Sequence, residues 1–374
     1  MRVRVLHTNA GKVWSGIEAR ILMIASYLHP QSACVGIACS PSSPLYKEAK
    51  KRDIPVFSWE INCRWDPYAT LRLREIIREN RFHILHAHRS KDHWVDTLAT
   101  RILPHPIKLI RTRHNLTPIP RNLFNHLLYH QWTDKIVAVA EVIREDLVFN
   151  FGLPPQKVNT IPSAVFTEKF FPQKGNLREE LNIPSSFKLV GMIGRIRKHK
   201  DYPNFIQASY LLKKEFPFVK FVIVGEGPLE REIKHLVKEK NLEKDFYFLG
   251  ERKDIPNVLA SLDVFVLSSS IEGSPAVIKE ALAMEKGVVA TKVGGIPEII
   301  EDRKEGLLVE SGDSLSLKEA ILYLLKHPQK AREMGKRGRE KVLKKFSPEE
   351  LAFSTLKIYQ QVLTTKHSHF TTIK

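Results

Sequence analysis

Cysteine is scarce in this chain: Cys34, Cys39 and Cys63 are all there is among 374 residues. They lack metal-ligand spacing and read as small core residues in a reducing compartment. Long apolar runs are missing as well. No stretch of about 18 apolar residues occurs, which excludes a spanning helix. Met1-Arg2-Val3-Arg4-Val5-Leu6 opens in strand-like alternation, so no signal peptide is expected. There is no Asp-x-Asp metal motif, and Gly11-Lys12 lacks the spacing of a nucleotide-triphosphate P-loop. Negative charge is short: 41 Asp and Glu stand against 59 Lys and Arg, a net +18. That excess implies an anionic partner, a solubilising exterior or adaptation to heat. Nucleic acid is one such partner, but no reader motif accompanies the charge. An anionic membrane surface is another, where each interfacial cation adds about 1 kcal/mol.

What is present suits two domains. The length exceeds one ordinary core, and 43% apolar residues support globular packing. Val3–Leu6, Ala33–Cys39, Val56–Phe57, Ile84–Ala87, Leu109–Arg111 and Ile136–Val139 read as strands. Segments near 17–28, 44–52, 70–80, 93–102, 122–132 and 141–149 read as helices. Such alternation gives a parallel sheet covered on both faces, with its site at the carboxyl ends of the strands. Thr167 to Pro184 is polar and carries Pro172 and Pro184, so it reads as a linker. Strands follow at Leu189–Ile193, Phe221–Val224, Phe246–Leu249, Asp263–Leu267 and Val288–Thr291. Pro348–Leu363 reads as an amphipathic helix. The expected domains are 1–165, 166–346, and a C-terminal helix and tail at 347–374.

The loops after the strands hold the candidate chemistry. Gly16 opens the first helix, whose free N–H groups suit a diphosphate. His86-Ala87-His88-Arg89-Ser90-Lys91-Asp92 follows the fourth strand. Two histidines one residue apart suggest a metal, but no third ligand is in view and none is expected. Arg89, Lys91 and Asp92 are instead placed to reach an acceptor. His114 lies just past the next strand, where an imidazole donates or accepts near neutral pH, and Arg113 precedes it. In the second half, Arg195 and Lys200 suit phosphate oxygens, one as a bidentate fork and one as a point charge. Gly225-Glu226-Gly227-Pro228 is only half of a dinucleotide fingerprint. Last comes Ser268 to Pro297, with Glu272 and Glu280 separated by seven residues. Ser274 reads as an N-cap and Pro275 as the first helical residue. The helix should run through Met284 and end at Gly287. Two carboxylates flanking a helix start could cradle the diols and phosphates of a nucleotide sugar.

This last stretch resembles the Glu-x7-Glu signature of glycosyltransferase family 4, retaining nucleotide-sugar-dependent enzymes of the GT-B fold. Val293-Gly294-Gly295-Ile296-Pro297-Glu298, Gly225-Glu226-Gly227-Pro228-Leu229 and Thr112-Arg113-His114 are similar to further pieces of the family. The resemblance spans nearly the whole chain and is most specific from Gly191 to Leu308. The chain departs from the pattern at Ser15, Ala140, Ser163, Ala164, Phe166 and Asp201. The resemblance implies two Rossmann-like α/β domains facing a cleft, with transfer of a sugar from a nucleotide diphosphate to an acceptor hydroxyl. Glu280 would hold the ribose diol. Glu272, Gly273 and the backbone of Ser274, Pro275 and Ala276 would hold the sugar. Arg195 and Lys200 would neutralise the leaving diphosphate in place of a metal ion, with Gly16 also on the donor side. His114 would lie beside the transferred sugar, and the leaving phosphate itself would help deprotonate the acceptor.

No cofactor is expected beyond a UDP- or GDP-sugar substrate. Over residues 1–165, 23 cations face 13 anions. That excess suits an anionic lipid-linked or oligosaccharide acceptor, such as a lipopolysaccharide core. It suits a cytoplasmic enzyme held peripherally on the inner membrane face, without nucleic acid. A GT-B-fold epimerase or phosphorylase, and a basic nucleic-acid-binding protein, are the alternatives.

Overall fold

The apolar runs of the sequence become two separate parallel sheets. The structure, a computed structural model, describes residues 2–28, 33–103 and 106–364. It divides into two compact units: Met1–Ser163 with Pro348–Lys374, and Ala164–Ser347.

The first unit carries seven strands: β1 (Val3–Asn9), β2 (Ala33–Cys39), β3 (Val56–Ser58), β4 (Ile84–Ala87), β5 (Lys108–Arg113), β6 (Lys135–Ala138) and β7 (Val158–Thr160). Their order is β3-β2-β1-β4-β5-β6-β7, parallel throughout. Strand order therefore reverses between β1 and β4. The sheet reads as continuous apolar runs because helices cover both faces; Val5, Leu6, Val35, Ile84 and Leu85 are fully buried. The helix Gly16–Leu28 packs against Pro348–Thr364, which brings Tyr359 into this core at 0% exposure.

Several elements differ from the sequence reading for local reasons. The expected 70–80 helix begins at Pro67, because Asp66 caps it through Ala69 N–H and Pro67 tolerates the first position. The expected 93–102 helix begins at Ser90, where the Asp92 carboxylate accepts the Arg89 N–H at 3.0 Å. The segments near 122–132 and 141–149 each change midway from α-helix into a π-helical turn, at Leu127–Gln131 and Asp146–Asn150.

The second unit carries β8 (Lys188–Ile193), β9 (Val219–Val224), β10 (Phe246–Phe248), β11 (Val264–Leu267), β12 (Gly287–Thr291) and β13 (Leu307–Val309), in the order β10-β9-β8-β11-β12-β13. All are parallel, and the order reverses between β8 and β11. The expected linker is packed rather than free. Phe170, Leu177 and Ile183 enter the core, and the Asn176 and Leu177 N–H groups bond Asn257 Oδ1 and Ser261 Oγ at 2.9 and 3.1 Å. No helix among the described residues is long and apolar enough to cross a membrane. The tail beyond Thr364 lies outside the described residues.

Candidate functional site

In an open parallel sheet, a crevice forms where strand order reverses, beyond the carboxyl ends of the two strands. In the second unit those ends are β8 and β11. The β8 loop carries Arg195 and Lys200, and the β11 loop carries Ser268 to Pro275. Three hydrogen bonds stitch the loops together: Ser268 Oγ to the Lys200 and Asp201 carbonyls at 3.1 and 2.9 Å, and Ser270 N–H to the His199 carbonyl at 2.8 Å. Lys200 Nζ meets Glu272 Oε1 at 2.5 Å, and Ser269 Oγ donates to the same oxygen at 2.7 Å. Glu272 Oε2 has no partner among the described residues. Arg195 is exposed, and its guanidinium pairs with no carboxylate among them. The site thus pairs one cation with a carboxylate and leaves a second cation open.

The backbone explains two sequence features. Asp201, where the family pattern has glycine, sits at φ 47°, in the left-handed region that Asp tolerates better than most residues. Its side chain also caps the helix Tyr202–Glu215 at Asn204 N–H. Gly225 and Gly227 are glycines of approach: a Cβ on either would strike the carbonyl of Gly194 or Ile196, in the loop that presents Arg195. Gly294, at φ +52°, is pressed against the Glu272 carbonyl in the same way.

The helix carrying Glu280 runs Ala276–Ala283. The expected N-cap at Ser274 and first helical turn at Pro275 do not form. Pro275 takes the cap position, and Ser274 Oγ is held by Lys279 Nζ at 2.8 Å. The helix also stops before Gly287, which opens β12; Glu285 at φ 57° makes the turn. Gly273, Ser274 and Ala276 are half-buried and Pro275 is buried. Glu280 is half-buried, and burial pushes its carboxyl up to about 7 against the opposing pull of Lys279. Lys279 itself is 0% exposed, and the sequence reading passed over it. The signal available was a lysine five residues after a serine at a helix start.

In the first unit the reversal lies between β1 and β4. His7 and His86 are register partners across those strands, and period two puts His88 on the same face as His86. His7 is therefore the third imidazole that the His86-x-His88 spacing lacked. The three rings offer nitrogens within 4.8 Å of one another. Their nitrogens are engaged in another way. His7 Nδ1 meets His88 Nε2 at 2.9 Å, His7 Nε2 meets Tyr359 OH at 3.1 Å, and His86 Nδ1 meets the same hydroxyl at 2.7 Å. His86 Nε2 meets Thr112 Oγ1 at 2.6 Å, and His88 Nδ1 meets His114 Nε2 at 3.3 Å. Burial, then the field of Arg20, holds His7 down to about 3. Burial and neighbouring cations keep His86, His88 and His114 well below their ordinary value. This donor set fits a dication poorly, because the charged groups acting on it are arginines.

The other sequence-expected residues here divide. Arg89 is spent on structure: Nε reaches Asn9 Oδ1 at 2.8 Å and Nη2 reaches Glu18 Oε1 at 2.5 Å, because Glu18 is fully buried and needs a cation. Asp92 is buried and accepts the Ala10 and Arg89 N–H groups, with burial raising its carboxyl to about 6. Arg113 is buried and donates to the Thr117 carbonyl at 2.6 Å. Lys91 alone of the four is exposed. Gly16 begins its helix with open space around it. Gly11 is the glycine whose Cβ would strike Arg89 and Glu18.

Residues 14–169 match the family model described as Glycosyltransferase Family 4, and residues 173–341 the model described as Glycosyl transferases group 1. The UDP-Gal:alpha-D-GlcNAc-diphosphoundecaprenol alpha-1,3-galactosyltransferase of Escherichia coli is 26% identical over 339 residues, 86% of this chain and 87% of that protein. The N-acetyl-alpha-D-glucosaminyl L-malate synthase of Bacillus anthracis is 28% identical over 301 residues, 78% of each. A glycosyltransferase from Rickettsia africae superposes with a TM-score of 0.87 at 24% identity, covering 98% of this chain and 100% of that one.

Proposed function

The chain belongs to glycosyltransferase family 4 and is a retaining, nucleotide-sugar-dependent transferase of the GT-B fold; from that premise we propose how it holds its donor and which acceptor it extends. The carrying observation is the Lys200–Glu272 pair, with Arg195 on the same loop and paired with no carboxylate among the described residues, at the strand-order reversal of the second sheet. Arg195 and Lys200 take the diphosphate, so that charge developing on the leaving group meets two fixed cations without a metal ion. Glu272 keeps Oε1 on Lys200 and Ser269 and offers Oε2 to a sugar hydroxyl. The free N–H groups at the start of the Ala276–Ala283 helix, with Gly273, complete the sugar cradle. Glu280, ionised, accepts both hydroxyls of the ribose. His114 lies beside the transferred sugar. No protein nucleophile is needed if the leaving phosphate takes the acceptor's proton.

The acceptor is an anionic lipid-linked saccharide of the lipopolysaccharide-core kind, reached at the inner membrane face. The cation excess of the first 165 residues supports this. So do Leu123, Phe124 and Phe149, exposed at 68, 59 and 79%. They sit on adjoining segments joined by the Arg121–Asn150 hydrogen bond. Apolar side chains beside a cation suit shallow insertion between anionic headgroups. The relative from Escherichia coli is named for a diphosphoundecaprenol-linked substrate. UDP-hexose transfer to a short-chain polyprenyl-diphosphate saccharide tests the activity, with product anomeric configuration read by NMR. Liposome flotation tests the location. Binding is expected with anionic vesicles, lost in neutral ones, and weakened by salt. Equal, negligible flotation with both lipids at low salt would remove the membrane reading and leave the transferase standing.

A further inference from the structure

Six side chains at the carboxyl edge of the first sheet form one unbranched run of hydrogen bonds. In order they are Thr112, His86, Tyr359, His7, His88 and His114. Thr112, Tyr359 and the first three imidazoles are buried; His114 is the half-buried end. The run depends on three adjacent strands and on the Pro348–Thr364 helix, which supplies the hydroxyl in the middle.

Counting protons reduces this run to two arrangements. A neutral imidazole has one N–H and one bare nitrogen, and a hydroxyl has one hydrogen. Each link needs one donor and one acceptor, so the choice at any link fixes all the others. The two arrangements run in opposite directions. The buried end decides between them. The Thr112 hydroxyl has no other partner among the described residues. If His86 Nε2 carried the proton, Thr112 would accept it and leave its own hydrogen unpaired in the core. A buried donor without an acceptor is the costly kind of unmade bond, whereas an idle hydroxyl lone pair is tolerated. Thr112 therefore donates. His86 then donates from Nδ1 to Tyr359, Tyr359 to His7 Nε2, His7 from Nδ1 to His88, and His88 from Nδ1 to His114 Nε2. The remaining proton of His114 must sit on Nδ1, which has no hydrogen-bond partner among the described residues.

We propose that Thr112, His86, Tyr359, His7 and His88 are positioning residues that hold His114 as its Nδ1–H tautomer, so that it meets the sugar as a hydrogen-bond donor and not as a base. The functional half rests on the placement of His114 beside the transferred sugar. The ligand atom it recognises is an oxygen with a free lone pair, on a sugar hydroxyl or the bridging phosphate.

The full-length protein, labelled with 15N in histidine, tests this by long-range 1H–15N correlation, with signals assigned from single His→Gln variants. The expected result is His7, His86, His88 and His114 all protonated at Nδ1, the form a free imidazole side chain adopts less often. In His88→Leu, His114 should acquire the Nε2–H form. Turnover should fall roughly tenfold or more, the usual loss when a histidine's orienting partner is removed, with nucleotide affinity held. His88→Asn, whose amide can still donate to His114, should restore both readouts. Nε2–H on His114 in the unsubstituted protein would overturn the proposal. So would mixed tautomers among the other three, or stoichiometric zinc surviving dialysis against a chelator. If His88→Leu does not fold, the unsubstituted spectrum still decides. If the tautomer pattern holds while folded His88→Leu turns over normally, the relay stands, and it is the placement of His114 at the sugar that fails.

Discussion

Replacing Glu280 with Gln should stabilise the empty protein at alkaline pH and weaken its hold on nucleotide. The Glu280 carboxyl is raised by burial from 4.5 to about 7. A raised carboxyl means that the native state binds a proton the unfolded chain has already lost. Its stabilising contribution is complete below pH 4.5 and disappears as pH rises through 7. Above pH 7 the native state carries a desolvated carboxylate, at a cost of about 3 kcal/mol. Gln keeps the shape without the charge. The variant should match the parent near pH 4.5, gain on it through pH 7, and remain about 3 kcal/mol more stable at pH 8.5. Urea unfolding at pH 5 and 8.5 measures this. Calorimetry with UDP measures the cost, since a charge-assisted hydrogen bond is worth about 1.5–3 kcal/mol, or roughly ten- to a hundredfold in Kd. Binding to the parent should also release a proton below pH 7. A Gln variant less stable than the parent at pH 8.5 would refute the desolvation argument, and an unchanged Kd would refute the ribose contact.

Arg195→Ala and Lys200→Ala should each lower turnover by roughly a hundredfold, the order of one lost anion-stabilising donor, as read in a steady-state transfer assay. Near-normal rates in both would remove the diphosphate assignment. Glu272→Gln should raise KM for the nucleotide sugar far more than the inhibition constant of free UDP, since its open oxygen serves the sugar. Equal changes in both constants would contradict that. Asp201→Ala should destabilise the fold by about 1–2 kcal/mol, losing both a cap and a tolerated left-handed residue, whereas Asp201→Gly should cost only a few tenths. Chemical denaturation midpoints that rank the two the other way would show the cap and conformation to be incidental.

The sheets were legible because buried parallel strands are short apolar runs bounded by polar residues, and β2 and β4 match the sequence reading residue for residue. The two-domain Rossmann-like class follows from their alternation with helices. The three-residue edge strands Val158–Thr160 and Leu307–Val309 went unseen, although the equally short edge strands β3 and β10 were read. Around the candidate site, the sequence identified the charged side chains but not which of them neutralise one another. Arg89 looked available until Glu18, 71 residues away, proved to be buried against it. His7 joined His88 across 81 residues, and Tyr359 reached His7 across 352. No local pattern encodes contacts of that kind; they come from strand order and from a helix that returns.

That returning helix has a consequence for how the enzyme comes into being. The second unit is a continuous stretch, Ala164–Ser347, whereas the first is interrupted by it and finished by residues 348–364. Synthesis proceeds from the N-terminus at about 5–20 residues per second, and domains fold as units when their sequence is complete. The sheet of the second unit is therefore whole while the ribosome still holds the helix that bears Tyr359. A chain arrested at Ser347 would have every cation proposed for the diphosphate, yet His7 and His86 would face an empty place where their shared hydroxyl belongs. On the proposed site, competence to bind donor thus precedes competence to transfer, and the helix Pro348–Thr364 is what completes the first unit.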